Sequence, residues 1–399
     1  MSVTVVGSTY LERCSFPEWD ELYGSGLRAA CLLSALGAEV SFHTYAGTEE
    51  DIPLKARLND AKVRNLHLMP IEQTLSFSYV HGLSTPVIDP AQDIYGKWNP
   101  EKIQAEGACV LRFGFLEGDA VVKGARVVYD PQNPHDPEPF SRNGSQADEL
   151  ALVCNLSEGR HLAKSSGGPE QIADLLIQQQ EASVVVLKCG SHGACVHDGN
   201  QSAWIHAYQT DEVWPIGSGD VFAAAFAFYW ASERMSPVEA AENASAQTAE
   251  YCNSRLLNKI DTATPPRLVA TSCSKRIYLA GPFFSMSQLW LIGEARRALA
   301  SQGHQVFSPL HEVGRGPAGI VYPADIKGIV ECDLVYALVD GLDAGTLFEI
   351  GYARSLDKPV VVFVQSEREE DLKMLRGSGC HIENDFVTSV YRTTWLPKS

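Results

Sequence analysis

The run Trp214-Pro-Ile-Gly-Ser-Gly-Asp-Val-Phe222, continued without a break by the apolar stretch from Ala223 to Ala231, constrains this chain more than any other segment. Gly217 and Gly219 let the backbone turn tightly and come close to a ligand. The helix that follows offers its free N–H groups and the positive end of its dipole to an anion. Asp220 stands at that mouth, where a carboxylate takes a proton from a hydroxyl attacking a phosphate. The bland alternative is an ordinary aspartate in the first turn of a helix, because short glycine motifs recur by chance. The rest of the chain has to decide between them.

At 399 residues two domains are the natural expectation, and 45% hydrophobic with 20% charged residues is an ordinary soluble composition. The N-terminus shows no basic-plus-apolar leader, and the apolar runs fall short of a membrane span. The ten cysteines are scattered, with neither a C-x-x-C pair nor a Cys/His cluster at zinc spacing, which reads as reduced thiols in a cytoplasmic protein. The net charge is −17, of which −15 lies before Lys275. Such a surface suits neither polymeric nucleic acid nor a membrane, but it leaves small anionic substrates open.

In chain order, Ser2 to Ser8 reads as a buried strand running into a turn, and Gly24 to Gly37 as a glycine turn, helix and glycine stop. Strands are expected at Glu39–Ala46, Phe77–Gly82, Ala108–Phe113, Arg126–Tyr129, Ala151–Cys154, Val184–Lys188 and Gly193–His197. A helix is expected from Gly168 to Gln180. Ser236-Pro-Val-Glu239 is a capping box that opens another, to about Cys252. The alternation implies a layered α/β domain with its ligands at the strand C-termini.

These motifs together resemble the ribokinase (PfkB-type) family of sugar and nucleoside kinases over most of residues 1–260. Val5-Val-Gly-Ser-Thr-Tyr-Leu-Glu12 is similar to the first strand and turn, with Glu12 where aspartate is usual. Gly24 and Gly26 resemble the glycine pair that approaches the substrate. Asn155-Leu-Ser-Glu158 matches the N-x-x-E motif that organises Mg2+ and phosphate, Glu158 acting through metal-bound water. Lys188, Gly190 and Gly193 resemble the strand and turn beside the nucleotide, and the signature ends in Gly217, Ser218, Gly219 and the base Asp220. The resemblance thus implies ATP and Mg2+ as cofactors. One departure is pointed: Arg28 stands where the family has an asparagine that bonds a sugar hydroxyl. Either its planar fork binds a carboxylate or phosphate, or it is an outward-facing helix arginine.

Residues 261–274, rich in Pro, Thr and Ser, give the best domain boundary. Beyond it a new α/β pattern begins. Strands are expected at Ile277–Ala280, Gln305–Phe307, Asp333–Val339 and Pro359–Val364, with helices at Met286–Ser301, Tyr322–Glu331 and Gly345–Leu356. In Asp343-Ala-Gly-Thr-Leu-Phe-Glu-Ile-Gly-Tyr-Ala353, Glu349 lies about one turn inside the helix. The dipole there favours an ionised carboxylate, as a nucleophile requires, whereas a solvated helix glutamate is the ordinary alternative.

With Tyr278-Leu-Ala-Gly281-Pro-Phe-Phe284, this segment resembles the nucleoside 2-deoxyribosyltransferase family over about residues 275–392. That resemblance implies Glu349 as the nucleophile at the anomeric carbon, Asp343 and Asp325 as active-site aspartates, Asp325 serving the base, and Tyr278 and Gly281 at the substrate. Leu375-Arg-Gly-Ser378-Gly379 resembles a late segment that holds a 5′-phosphate in nucleotide-cleaving relatives; a surface turn is its alternative. Thr346, at the helix start, offers a further hydroxyl.

The expectation is an α/β chain of two domains. A ribokinase-like layered domain spans 1–262, a linker 263–274, and a smaller flavodoxin-like or Rossmann-like parallel-sheet domain 275–399. It would phosphorylate a nucleoside or pentose and break or transfer an N-glycosidic bond, giving free base and pentose 5-phosphate, with phosphorylation first. The competing expectation is an N-glycosidase whose kinase-like domain senses a ligand. Its partners are a small nucleoside or nucleotide and further copies of itself.

Overall fold

Apolar residues that alternate along buried strands must face opposite sides of a sheet, so the valine-rich runs of the first half demand cover on both faces. The computed structural model, which describes residues 2–133, 136–260, 268–269 and 274–398, shows that cover. The linker expected at 263–274 therefore falls largely outside the described residues. The chain divides into two compact units, Met1–Thr210 with Trp214–Val269, and Asp211–Val213 with Ala270–Ser399.

In the first unit the strands are β1 (Ser2–Val6), β2 (Leu11–Phe16), β3 (Trp19–Leu22), β4 (Glu39–Gly47), β5 (Asn65–Ile71), β6 (Ser76–His81), β7 (Val87–Asp89), β8 (Ile103–Phe113), β9 (Ala120–Asp130), β10 (Gln146–Asn155), β11 (Val184–Lys188), β12 (Ala194–His197) and β13 (Ser202–Ile205). Nine of them form one sheet in the order β13-β12-β11-β10-β9-β8-β1-β4-β5. It is parallel except where β12 pairs with β11 and β13. Val5, Leu111, Val128, Val153 and Val186 enter one core, with helices Gly24–Leu36, Ser218–Phe226 and Pro237–Ser254. Their neighbours Val6, Val110, Val127, Leu152 and Val185 enter the other, under helices Leu156–Ala163 and Pro169–Gln179. A separate four-stranded sheet, β3-β2-β6-β7, completes the unit.

The second unit holds β14 (Arg276–Ala280), β15 (Gln305–Phe307), β16 (Leu334–Leu338), β17 (Val360–Phe363) and β18 (His381–Glu383), all parallel in the order β15-β14-β16-β17-β18. Tyr278, Ala280, Val335, Ala337, Val360 and Val362 belong to its core. Helix Met286–Ser301 starts at a Ser285/Gln288 capping box, and helix Ala344–Ser355 is capped by Asp343. No helix among the described residues is long and apolar enough to cross a membrane.

Several elements run longer than expected. β8, β9 and β10 begin five or more residues earlier, where Gln104 and Glu106, Lys123 and Gly124, and Asp148 and Glu149 break up the apolar pattern. The helix expected from Tyr322 begins at Ala318 and carries Pro323 inside it. The strands β2, β3, β5 and β7 were not legible, since polar residues such as Glu12 and Arg13 interrupt the pattern.

Candidate active sites

The order of the large sheet reverses at β1, which lies between β4 and β8. A doubly wound sheet binds ligands at such a point, beyond the strand C-termini. A cleft of about 930 Å³ opens there. Ser8 and Tyr10 after β1, and Gly114 and Glu117 after β8, form one side; Asp130 and Gln132, at and after the end of β9, continue it. Asn155, Glu158, Lys188, Gly190 and Gly219 form the other side, and Leu75, Phe77 and Ile88 give an apolar wall.

Arg28 is fully buried, so it is not an outward-facing helix arginine. Its guanidinium donates from Nη1 to Asp220 Oδ2 at 2.8 Å and from Nη2 to Glu12 Oε2. Its fork is therefore filled by the protein's own carboxylates, and with two of them around one cation the spot has no surplus positive charge for an anionic ligand. The other oxygen of Asp220, Oδ1, accepts from the amide of Gln132, a residue with φ of 49°. Gly217 caps the helix at φ of 77°, and a Cβ there would lie 2.2 Å from Arg28 Cζ. Ser218 opens the helix and Asp220 lies in its first turn, as expected. The guanidinium thus lies against the glycine turn and takes one of the two oxygens of the expected base.

Gly24 and Gly26 serve the chain's own packing. Gly24 has φ of 78°, its N–H donates to Glu12 Oε1 at 3.4 Å, and a Cβ on Gly26 would lie 2.4 Å from the Gly7 oxygen. Neither lines the cleft, and the turn after β1 packs directly against both.

On the side of the cleft expected to hold a nucleotide, Asn155 and Glu158 form a reciprocal capping box, with Oδ1 accepting from the Glu158 N–H and Glu158 Oε2 accepting from the Asn155 N–H, both at 2.9 Å. Lys188 pairs with Asp130, a buried carboxylate the sequence reading missed although it ends a valine-rich strand. Burial pushes both Asp130 and Glu158 up, and their charges in turn outweigh burial to hold Lys188 protonated. No cluster of three or more metal-ligating side chains occurs among the described residues. The donor set fits a cation held through water by Glu158, not one enclosed by protein oxygens. Gly190 reaches the cleft, but Gly193 does not, because β13 covers it: a Cβ there would lie 2.0 Å from the Ile205 oxygen.

In the second unit, Tyr278 on β14 donates its hydroxyl to Glu349 Oε1 at 2.6 Å. Burial pushes Glu349 up to about 7; the Tyr278 hydrogen bond opposes this, and Asp325 and Asp343 add to it. This corrects the expectation of a securely ionised carboxylate: desolvation outweighs the helix end. Burial also raises Asp325, whose Oδ1 is buried without a hydrogen-bond partner. Gly281 packs against Ile292 and Leu338 at the end of β14.

Two other residues are already engaged. Thr346 is buried, and both its N–H and its hydroxyl donate to Asp343 Oδ2, at 2.8 and 3.0 Å. Ser378 caps a short helix: its hydroxyl donates to the Leu375 carbonyl, and the N–H groups of Ser378, Gly379 and Cys380 all go to helix carbonyls. Its own carbonyl accepts from the Arg354 side chain, which leaves the last turn of the helix that Thr346 begins. In this structure the donors expected to meet a phosphate are spent on the protein's own acceptors.

Fold and sites together define a two-domain α/β enzyme with a carboxylate centre in each unit. Residues 123–258 match the pfkB family carbohydrate kinase model, and residues 277–386 match the nucleoside 2-deoxyribosyltransferase model. The chain is thus a ribokinase/PfkB-type kinase region fused to a C-terminal nucleoside 2-deoxyribosyltransferase-like domain. No curated protein matches it. Among solved structures it is similar to ribokinase from Giardia lamblia, at 14% identity and a TM-score of 0.50 over 64% of this chain and 94% of that one. It is also similar to a nucleoside kinase of Methanocaldococcus jannaschii, at 15% identity and 0.45 over 63% and 91%. A third is fructokinase from Vibrio cholerae O395 with fructose, ADP and calcium ion, at 15% and 0.48 over 64% and 93%.

Proposed function

We propose that the chain is a bifunctional nucleoside or nucleotide salvage enzyme. The carrying observation is the Tyr278–Glu349 hydrogen bond, with the unpartnered Asp325 oxygen in the same centre. Glu349, once ionised, bonds to the anomeric carbon of the sugar as the N-glycosidic bond breaks. The bonding pair leaves with the base, which takes a proton from Asp325, whose burial favours the protonated form. A second base or water then displaces Glu349. In the first unit Asp220 takes the proton of an acceptor hydroxyl, and the glycine turn holds the developing phosphate charge. Glu158 and Asn155 would hold Mg2+ through water, and the ion would supply charge neutralisation to the phosphate of a bound ATP. The products are free base and pentose 5-phosphate. With the donors of Thr346 and Ser378 already spent, cleavage does not depend on prior phosphorylation. Phe284, Met286, Trp290 and Phe348, all exposed on the second unit, support self-association.

A second reading, favoured by the Arg28–Asp220 ion pair, keeps the glycosidase and makes the kinase-like unit a ligand-sensing module without phosphoryl transfer. One experiment separates them: mass spectrometry of products from a nucleoside library with and without ATP. Base release with ATP-dependent pentose 5-phosphate supports the first reading. Base release with ligand-induced melting shifts but no ADP supports the second, and no base release in either condition overturns both.

A further inference from the structure

The positions expected to hold the acceptor are closed in this chain. Glu12 spends its carboxylate on Arg28, and neither residue borders the cleft. The open volume instead lies against Glu117, in the loop after β8 at the very point where the strand order reverses. Its side chain borders the cleft, and the residue is only 3% exposed. Its carboxyl takes hydrogen bonds from the Ser8 hydroxyl, from its own N–H and from the Leu116 N–H (3.1 Å, to Oε2), while Oε1 is buried with no hydrogen-bond partner. An acceptor oxygen left bare in a folded protein costs free energy unless a ligand completes it.

We propose that Glu117 is a ligand-recognition residue that has taken over the role Glu12 gives up to Arg28, accepting a hydrogen bond from a hydroxyl of a neutral, hydroxylated ligand in the cleft. The ligand's charge follows from the surroundings. Among the described residues no cation contributes to the environment of Glu117, so nothing beside it would hold an anionic group. The wall of Leu75, Phe77 and Ile88 offers an apolar face to the ring of a nucleoside or the carbon face of a pentose. The idea deepens the proposed function by naming a substrate contact. It needs only that the first unit binds such a compound, whether or not it phosphorylates it.

The electrostatics give it a distinct signature. Burial pushes Glu117 up to about 7, with no cation contributing to its environment among the described residues. The titratable groups that feel it are Tyr45 and Tyr95, themselves raised by burial; Asp119, two residues on, is held down by Lys102 and Asn143. A ligand hydroxyl donating to Glu117 favours its charged form, so at pH 7 binding releases a fraction of a proton.

The test is titration calorimetry of the full-length protein at pH 7, without ATP, using adenosine, thymidine and ribose, each in PIPES and in Tris. The expected result is binding of at least one probe with a heat that depends on the buffer. Glu117→Gln should weaken it about tenfold or more and abolish the buffer dependence, while Glu117→Asp keeps the proton release at reduced affinity. A melting curve of each variant checks that it is folded. Unchanged affinity and unchanged proton release in Glu117→Gln overturn the proposal, and so does a wild-type protein that binds none of the probes. Failure to form ADP in a separate assay would count against the kinase reading alone and leave this contact standing.

Discussion

Replacing Arg28 with asparagine, the residue the kinase family carries there, is the most searching perturbation of this chain. The guanidinium has no exposed surface and bridges Glu12 and Asp220, which are 1% and 5% exposed. Removing one partner of a buried ion pair typically costs about 3–5 kcal/mol, because the remaining charge is left uncompensated. In a unit of this size each kcal/mol moves the melting temperature by about 2–4 °C, so Arg28→Asn should lower it by roughly 6–20 °C. The same change empties the space against Gly217 and frees Asp220 Oδ2 and Glu12 for an acceptor hydroxyl. A positioned general base contributes about 10²–10⁴-fold, which bounds the gain from releasing one. The assay is ADP formation with Mg2+, ATP and a panel of pentoses and nucleosides, run below the variant's melting transition. A folded Arg28→Asn protein that phosphorylates no faster than wild type would refute the argument that Arg28 holds back an oxygen of the expected base. A slower one would show that the arginine takes part in the reaction.

Glu349→Gln should abolish glycosidic cleavage without affecting ADP formation, as seen by base release on chromatography. Because burial raises Glu349 from 4.5 to about 7, the native state holds its proton more tightly than the unfolded chain does. That contribution to stability is complete below pH 4.5 and lost as pH rises toward 7, so the glutamine variant should gain up to about 3 kcal/mol over wild type at pH 8 and almost nothing at pH 4.5. Cleavage by the wild type should rise with pH through about 7 as the nucleophile ionises. Tyr278→Phe, which removes the hydrogen bond favouring the charged form, should move that limb to higher pH; an unmoved pH–rate profile would contradict the pairing. Asp220→Asn should cut phosphorylation by about 10²–10⁴-fold, and this protein should cleave nucleosides at least as fast as their 5′-monophosphates. A strong preference for the monophosphates would restore the phosphate pocket at Ser378.

The sequence carried the architecture wherever local rules agreed. Valine runs, the capping box at Ser236 and glycines at helix starts mark elements through the 2.0 and 3.6 periods and through turn chemistry. Glu349 and Tyr278 were singled out through the resemblance of the segments that carry them, and the structure pairs them from the middle of helix Ala344–Ser355 and the middle of β14. The fate of Arg28 was not. Its partners are 16 and 192 residues away, and nothing local tells a buried arginine from a solvated one on a helix. Glu117 and Gln132 follow strand ends in segments without any motif, so only the sheet order gives them meaning. The misreading at Ser378 has a different origin. A Gly/Ser-rich segment suits an anion cradle and a helix C-terminus equally, and the direction of its N–H groups decides between the two.

The two carboxylate centres show how the choice of partner sets what a catalytic acid is free to do. Glu349 is bonded by a neutral phenol, which can keep its proton or yield its place, so the carboxylate is biased toward ionisation but still has an oxygen to offer. Asp220 is bonded by a guanidinium that cannot lose its proton and by an amide, and both of its oxygens are taken. A hydroxyl reaching Asp220 must therefore share an oxygen with one of these partners or displace it. Arg28 is sealed from the cleft, whereas Gln132 borders it, so the replaceable partner is the amide and the reactive oxygen is Oδ1. The arginine, held by two carboxylates, stays in place unless Glu12 moves with it. Any phosphoryl transfer by this unit therefore approaches Asp220 from the Gln132 side of the cleft.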